Sequence, residues 1–142
     1  MSDDRTIVVG FDGSPAARRA VTAAVRFAGQ GRVVVVHADA SAPLRPGFSW
    51  RETIDPHRTE HGRATLDSLL LGGNDELADA NWDLRLVHGD VASALLEIAR
   101  VEKADAIAVG THGHGVLSSL LGSVTSRLVR EADRPVIVVP IT

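Results

Sequence analysis

Four short runs in this chain are apolar at every position: Ile7-Val8-Val9, Val33-Val34-Val35-Val36, Ala106-Ile107-Ala108-Val109 and Val136-Ile137-Val138-Val139. A half-buried strand alternates apolar with polar residues, so an unbroken β-branched run reads as a strand covered on both faces. We read strands over Arg5–Gly10, Arg32–Ala38, Asp105–Gly110 and Val136–Val139. A fifth, Leu84–His88, alternates and is placed at an edge. Between them lie helical patterns. Ser14 is an N-cap and Pro15 a first helical residue, and the helix they open has Ala17, Val21, Ala24, Val25 and Ala28 on one face before Gly29 and Gly31 end it. Pro56 opens a second helix reaching about Leu71. Gly72-Gly73 interrupts it, and helix formers resume from Asn74 to Ala80. Val91, Leu95, Ile98 and Ala99 mark a third that ends near Lys103. The last runs from Ser123 to about Ala132. Asp39–Asp55, with Pro43, Pro46 and Gly47, has no period and reads as a long excursion, the kind of segment that serves as a lid.

Strands alternating with helices imply a parallel sheet with helices on both faces, that is, an α/β, Rossmann-like domain of five parallel strands. The 142 residues suit a single domain, 1–142, around one core. Aromatics make up only 4% of them, so that core is built from Val, Leu, Ile and Ala. The formal net charge of −3 and the lack of a basic tract argue against nucleic acid as a partner. The absence of Cys excludes disulfides and thiol chemistry. The acidic start, Met1-Ser2-Asp3-Asp4, is not a signal peptide and no apolar run is long enough to span a bilayer, so a cytoplasmic protein without a membrane partner is expected.

In such sheets a ligand sits beyond the carboxyl ends of the strands, where the strand order reverses. The segment Val109-Gly110-Thr111-His112-Gly113-His114-Gly115, running on to Gly122-Ser123, falls between a buried strand and a helix start. Helix starts carry unpaired N–H groups and partial positive charge, and glycines let a ligand approach the backbone. This is a candidate phosphate cradle. A structural loop with an ordinary Gly-Ser cap is the plainer alternative.

The spacing resembles the nucleotide loop of the universal stress protein family, G-x2-G-x9-G-[ST], and the resemblance extends over nearly the whole chain. Here eight residues, not nine, separate Gly113 from Gly122. The resemblance implies the sheet order 3-2-1-4-5, numbering the five strands along the chain, so that Phe11-Asp12-Gly13-Ser14 and the cradle face one crevice. It implies ATP, with Mg²⁺, as ligand of the ATP-binding type of the family. It implies phosphate contacts from Gly110, Gly113, Gly122 and Ser123, pocket contacts from Asp12, Val109 and Val124, and a backbone contact to adenine from Ala38. His112 matches a position that is often His. It also implies a homodimer formed through the C-terminal strand, Val136–Val139, which fits an apolar edge strand with unpaired backbone groups.

Other residues have plainer readings. Asp12-Gly13 is also a common turn pair. His112 and His114, like Ser118 and Ser119, are also ordinary loop residues. His57-Arg58-Thr59-Glu60-His61 fits H-x-x-E-H and puts two imidazoles on one face of a helix, but that motif needs a further carboxylate and a larger scaffold, so we read exposed polar residues. Arg127, Arg130 and Arg134 read as a solvated face near a helix end. No general base or nucleophile stands out. The expectation is a nucleotide-gated regulatory protein of the stress response and not an enzyme. The alternatives are an interaction dimer without nucleotide, favoured by the shortened spacing, and a weak ATPase.

Overall fold

The computed structural model describes residues 4–39, 44, 46–71, 75–111 and 121–140. In chain order these form β1 (Thr6–Phe11), α1 (Pro15–Ala28), β2 (Arg32–Ala38), β3 (Trp50–Glu52), α2 (Glu60–Leu71), β4 (Asn81–Gly89), α3 (Val91–Val101), β5 (Ala106–Gly110), α4 (Ser123–Glu131) and β6 (Val136–Val139). Single 3-10 turns cover Pro56–Arg58 and Asp75–Asp79.

The sheet order is β3-β4-β2-β1-β5-β6. The five expected strands are parallel and stand in the expected order. The expectation of five strands is corrected by a sixth, β3, which lies inside the supposed excursion and pairs antiparallel with β4, Arg51 opposite His88. It follows that the strand over Leu84–His88 is not at the edge, and it begins earlier, at Asn81. Trp50 drives this by packing onto the core, while Arg51 and Glu52 are exposed, a polar finish that suits a sheet edge. Gly89, at φ +99°, allows the close approach, since a Cβ there would lie 2.4 Å from the Ser49 carbonyl oxygen.

Two apolar clusters cover the two faces. Ile7, Val9, Val33, Val35 and Leu84 meet α1 and Leu69 of α2. Val8, Val34, Val36, Val87 and Ile107 meet α3 and Leu128 of α4. Alternate residues of one strand thus enter opposite clusters, which is why β1 and β2 are apolar throughout. Arg18 of α1 ties the first layer together by donating to the Ser68 carbonyl (2.9 Å) and hydroxyl (2.7 Å) of α2.

The helix expected from Pro56 to Leu71 is split. Asp55 accepts from the His57 amide (3.0 Å) and caps the 3-10 turn, and Thr59, with extended backbone, accepts from the Gly62 amide (2.9 Å) and starts α2 afresh. Similarly, the helical resumption expected over Asn74–Ala80 is the single turn Asp75–Asp79, from which Leu77 is buried.

Candidate nucleotide site

β1, β2 and β5 end at a cavity of about 440 Å³, closed at the sides by the starts of α1, α3 and α4. Asp12, Ala38, Val109, Gly110, Gly122, Ser123 and Val124, drawn from four places in the chain, all line it. His112, Gly113, His114, Ser118 and Ser119 lie outside the described residues.

The end of the cavity suited to an anion is the start of α4. Gly122 is its N-cap and brings no side chain to the helix amides. Its own N–H donates to the Thr111 carbonyl (2.8 Å), and its carbonyl accepts from Ser126 (2.9 Å). The amides of Ser123, Val124 and Thr125 precede the first intrahelical donor and are aligned with the positive end of the helix dipole. Thr125 is buried and donates its hydroxyl to the Gly110 carbonyl at 2.7 Å, so the last residue of β5 is joined to the first turn of α4.

Gly110 has a different reason for being glycine from the one expected. A Cβ there would lie 2.7 Å from the Cβ of Ala16 and 2.9 Å from its carbonyl carbon. The missing side chain lets α1 pack against β5, and Gly110 also lines the cavity. Asp12 shows its turn chemistry as well: Oδ1 accepts from the Ser14 amide at 2.9 Å. Ser14, in turn, accepts from the Ala17 amide at 3.2 Å and caps α1. Asp12 nonetheless remains exposed at the cavity rim.

The opposite wall is apolar. Val36, Val91 and Leu95 line it, and the sequence reading did not place them there. Their helical and strand periodicities mark them as buried, but no local pattern tells whether a buried residue meets the sheet or a cavity. Thr125 was within reach of sequence reasoning, because it shares the unpaired first turn with Ser123 and Val124.

Behind Ala38, on the other face of the sheet, His37 donates from Nδ1 to the Phe11 carbonyl at 2.6 Å. A carbonyl only accepts, so Nδ1 carries the proton and neutral His37 offers Nε2 as an acceptor. His61 Nε2 lies 3.0 Å from it. Burial lowers the pKa of His37 below its ordinary value, against the opposing pull of the Phe11 carbonyl and of Asp12 and Asp39. His61 Nδ1 is 3.9 Å from Asp39 Oδ1. The expectation that His57 and His61 share an exposed helix face is therefore corrected: His57 sits in the 3-10 turn, and His61 turns toward β2. Nearby, buried His88 meets Thr53 Oγ1 through Nε2 at 2.6 Å. Among the described residues no group of three or more His, Asp or Glu is placed to hold a metal ion.

The three arginines are not uniformly a solvated face either. Arg127 engages Asp90, Ser93 and Glu131, and Arg134 donates to the carbonyls of Ala99 (3.0 Å) and Ala104 (2.8 Å), closing the end of α3. Only Arg130 matches the expectation, exposed and donating to its own helix at the Ser126 carbonyl. No helix among the described residues is long and apolar enough to cross a membrane.

Comparison with known proteins agrees with this arrangement. Residues 5–140 match the Universal stress protein family. A universal stress protein of Thermus aquaticus is 36% identical over 139 residues, covering 95% of this chain and 98% of its own. A universal stress protein solved in complex with cAMP has a TM-score of 0.68 at 28% identity, covering 99% of this chain and 100% of that one. The universal stress protein UspA from Lactobacillus plantarum has a TM-score of 0.71 at 25% identity, over 98% and 99%. With this sheet order and these matches, the chain belongs to the universal stress protein family.

Proposed function

We propose that the cavity binds an adenine nucleotide, ATP with Mg²⁺ being the form the family resemblance implies, and that the protein acts as a nucleotide-gated regulator. The observation that carries this reading is the convergence of an uncapped helix start, at Ser123–Thr125, with an apolar wall in a single cavity. The helix start suits an anionic tail and the wall suits a planar base. The relative solved with cAMP makes an adenine nucleotide the preferred class. Mg²⁺ would arrive on the phosphate oxygens, with Asp12 the carboxylate at the rim, since this cation keeps several waters and binds through phosphates plus one or two carboxylates. The groups lining the cavity are amides, hydroxyls, one carboxylate and apolar side chains, a set suited to holding a nucleotide rather than turning it over.

We further infer a homodimer through β6. This strand pairs with β5 on one side and ends the sheet on the other, and its four residues are half-buried. A second copy would satisfy its outer backbone groups. Light scattering that gives a monomer mass at micromolar protein would remove this part.

Equilibrium dialysis with ATP and Mg²⁺, and separately with cAMP, tests the binding reading. Ala38→Phe fills the wall beside β2 and is expected to abolish uptake while the protein stays folded. If wild type takes up neither nucleotide, the protein is an interaction dimer and the cavity has another use. If phosphate is released at a rate that Ser123→Ala abolishes, it is an ATPase.

A further inference from the structure

Two helices meet at the cavity with unequal support. α3 begins at Val91 with Asp90 as its N-cap and buries Ala92, Ala94, Leu95, Ile98 and Ala99. α4 is nine residues long and buries only Thr125 and Leu128. Yet α4 supplies the amides of the anion end. What ties α4 to its better-anchored neighbour is Arg127, one turn into the helix. Its guanidinium donates to Asp90 Oδ2, to Ser93 Oγ at 2.9 Å and, on its own helix, to Glu131 Oε2 at 2.8 Å. Ser93 Oγ donates in turn to the same Asp90 oxygen at 2.5 Å. All three guanidinium nitrogens are engaged, two of them across the gap between the helices. The Arg127 and Asp90 side chains are 33% and 40% exposed, so as a plain ion pair the contact adds little to stability. A planar fork held at three points restricts direction more strongly than a single charge contact would.

We propose that Arg127 is a positioning residue for nucleotide binding, holding the first turn of α4 against the start of α3 through Asp90 and Ser93 so that the Ser123–Thr125 amides converge on the phosphate. This rests on the cavity being the nucleotide site. The tie acts on the anion end, because α3 and the apolar wall keep their own burial when it is cut. Its loss therefore weakens a ligand that carries phosphate and spares one that does not. Glu131 lies on the same helix as Arg127 and bridges nothing across the gap.

Calorimetric titration with ATP and Mg²⁺, and in parallel with adenosine, tests the proposal on the full chain. Arg127→Ala is expected to weaken ATP by about tenfold, the loss of about 1.4 kcal/mol of preorganisation, and adenosine by less than about twofold. Arg127→Lys restores the charge and part of the affinity, and Glu131→Gln leaves both ligands unchanged. Asp90→Asn separates positioning from direct contact: it weakens ATP if Arg127 acts through α3, and strengthens or preserves it if the arginine touches phosphate itself. Should Arg127→Ala fail to fold, Ser93→Ala removes one leg of the fork and is expected to weaken ATP by about threefold. Equal losses for ATP and adenosine, or an Arg127→Ala protein that binds ATP like wild type, overturn the positioning role while leaving the site in place. A wild-type protein that binds neither ligand removes the site and the tie with it.

Discussion

The imidazoles of His37 and His61 meet edge to edge, Nε2 to Nε2 at 3.0 Å, with ring planes only 17° apart. One N–H and one lone pair fit that contact, and two N–H groups do not, so the pair holds α2 to the end of β2 only while at least one ring is neutral. Burial lowers the pKa of His37, so the unfolded chain takes up the proton first as pH falls through the ordinary value of 6.5. Stability from this group is complete above that pH and is lost as pH falls below it toward the folded value. Urea midpoints are expected to drop as pH falls below about 6.5, and His37→Gln to show a shallower drop. An unchanged slope in the variant would show that the contact carries no proton-linked stability.

Gly110→Ala puts a methyl group 2.7 Å from the Ala16 Cβ and against the α1 backbone. Neither neighbour is a flexible side chain, so α1 must move away from β5. A loss of about 1–3 kcal/mol in unfolding free energy is expected, measurable by urea denaturation with no nucleotide present. If the variant is as stable as wild type but binds nucleotide poorly, Gly110 is glycine for the ligand and not for the helix.

Thr125→Val keeps the shape of a buried side chain and removes its bond to the Gly110 carbonyl. We expect a cost of about 1 kcal/mol in stability. ATP affinity falls as well, because the bond that joins the end of β5 directly to the first turn of α4 is then lost. Nucleotide affinity equal to wild type in this variant would mean that the helix start is held in place without the hydroxyl.

Gly89→Ala has two penalties, a φ of +99° and a Cβ 2.4 Å from the Ser49 carbonyl oxygen. The expected result is release of β3, seen as faster hydrogen exchange at Trp50–Glu52, with a cost above about 1 kcal/mol. The β1, β2 and β5 amides keep their protection. Uniform loss of protection across the sheet would mean that the edge strand supports the whole fold.

Much of this was legible in the amino-acid order. β2, β6 and α1 begin and end where the apolar runs, Pro15 and Gly29 put them. Such signals are local: a run of valines, a cap and a helix stop act within a few residues of themselves. β3 escaped notice because three residues, two of them exposed and charged, have no period to detect. The break before α2 was hidden because it depends on Thr59 and Gly62 meeting Pro56 and each other. Of the candidate site residues, seven meet at one cavity, because residues at the carboxyl ends of parallel strands converge whenever the strand order reverses between them.

The sequence by itself determined the five parallel strands of an α/β sheet, the bounds of β2 and β6 and a glycine-bearing helix start at its crest, because hydrophobic period and capping are written in neighbouring residues. Only the tertiary structure decided that His61 faces His37, that Arg127 reaches Asp90 and Ser93, and that Gly110 is bare for the sake of Ala16. Those pairs lie from 24 to 94 positions apart in the chain. Their meeting depends on how far each helix slides along the sheet before its side chains interlock, a distance that close packing sets and no local pattern records.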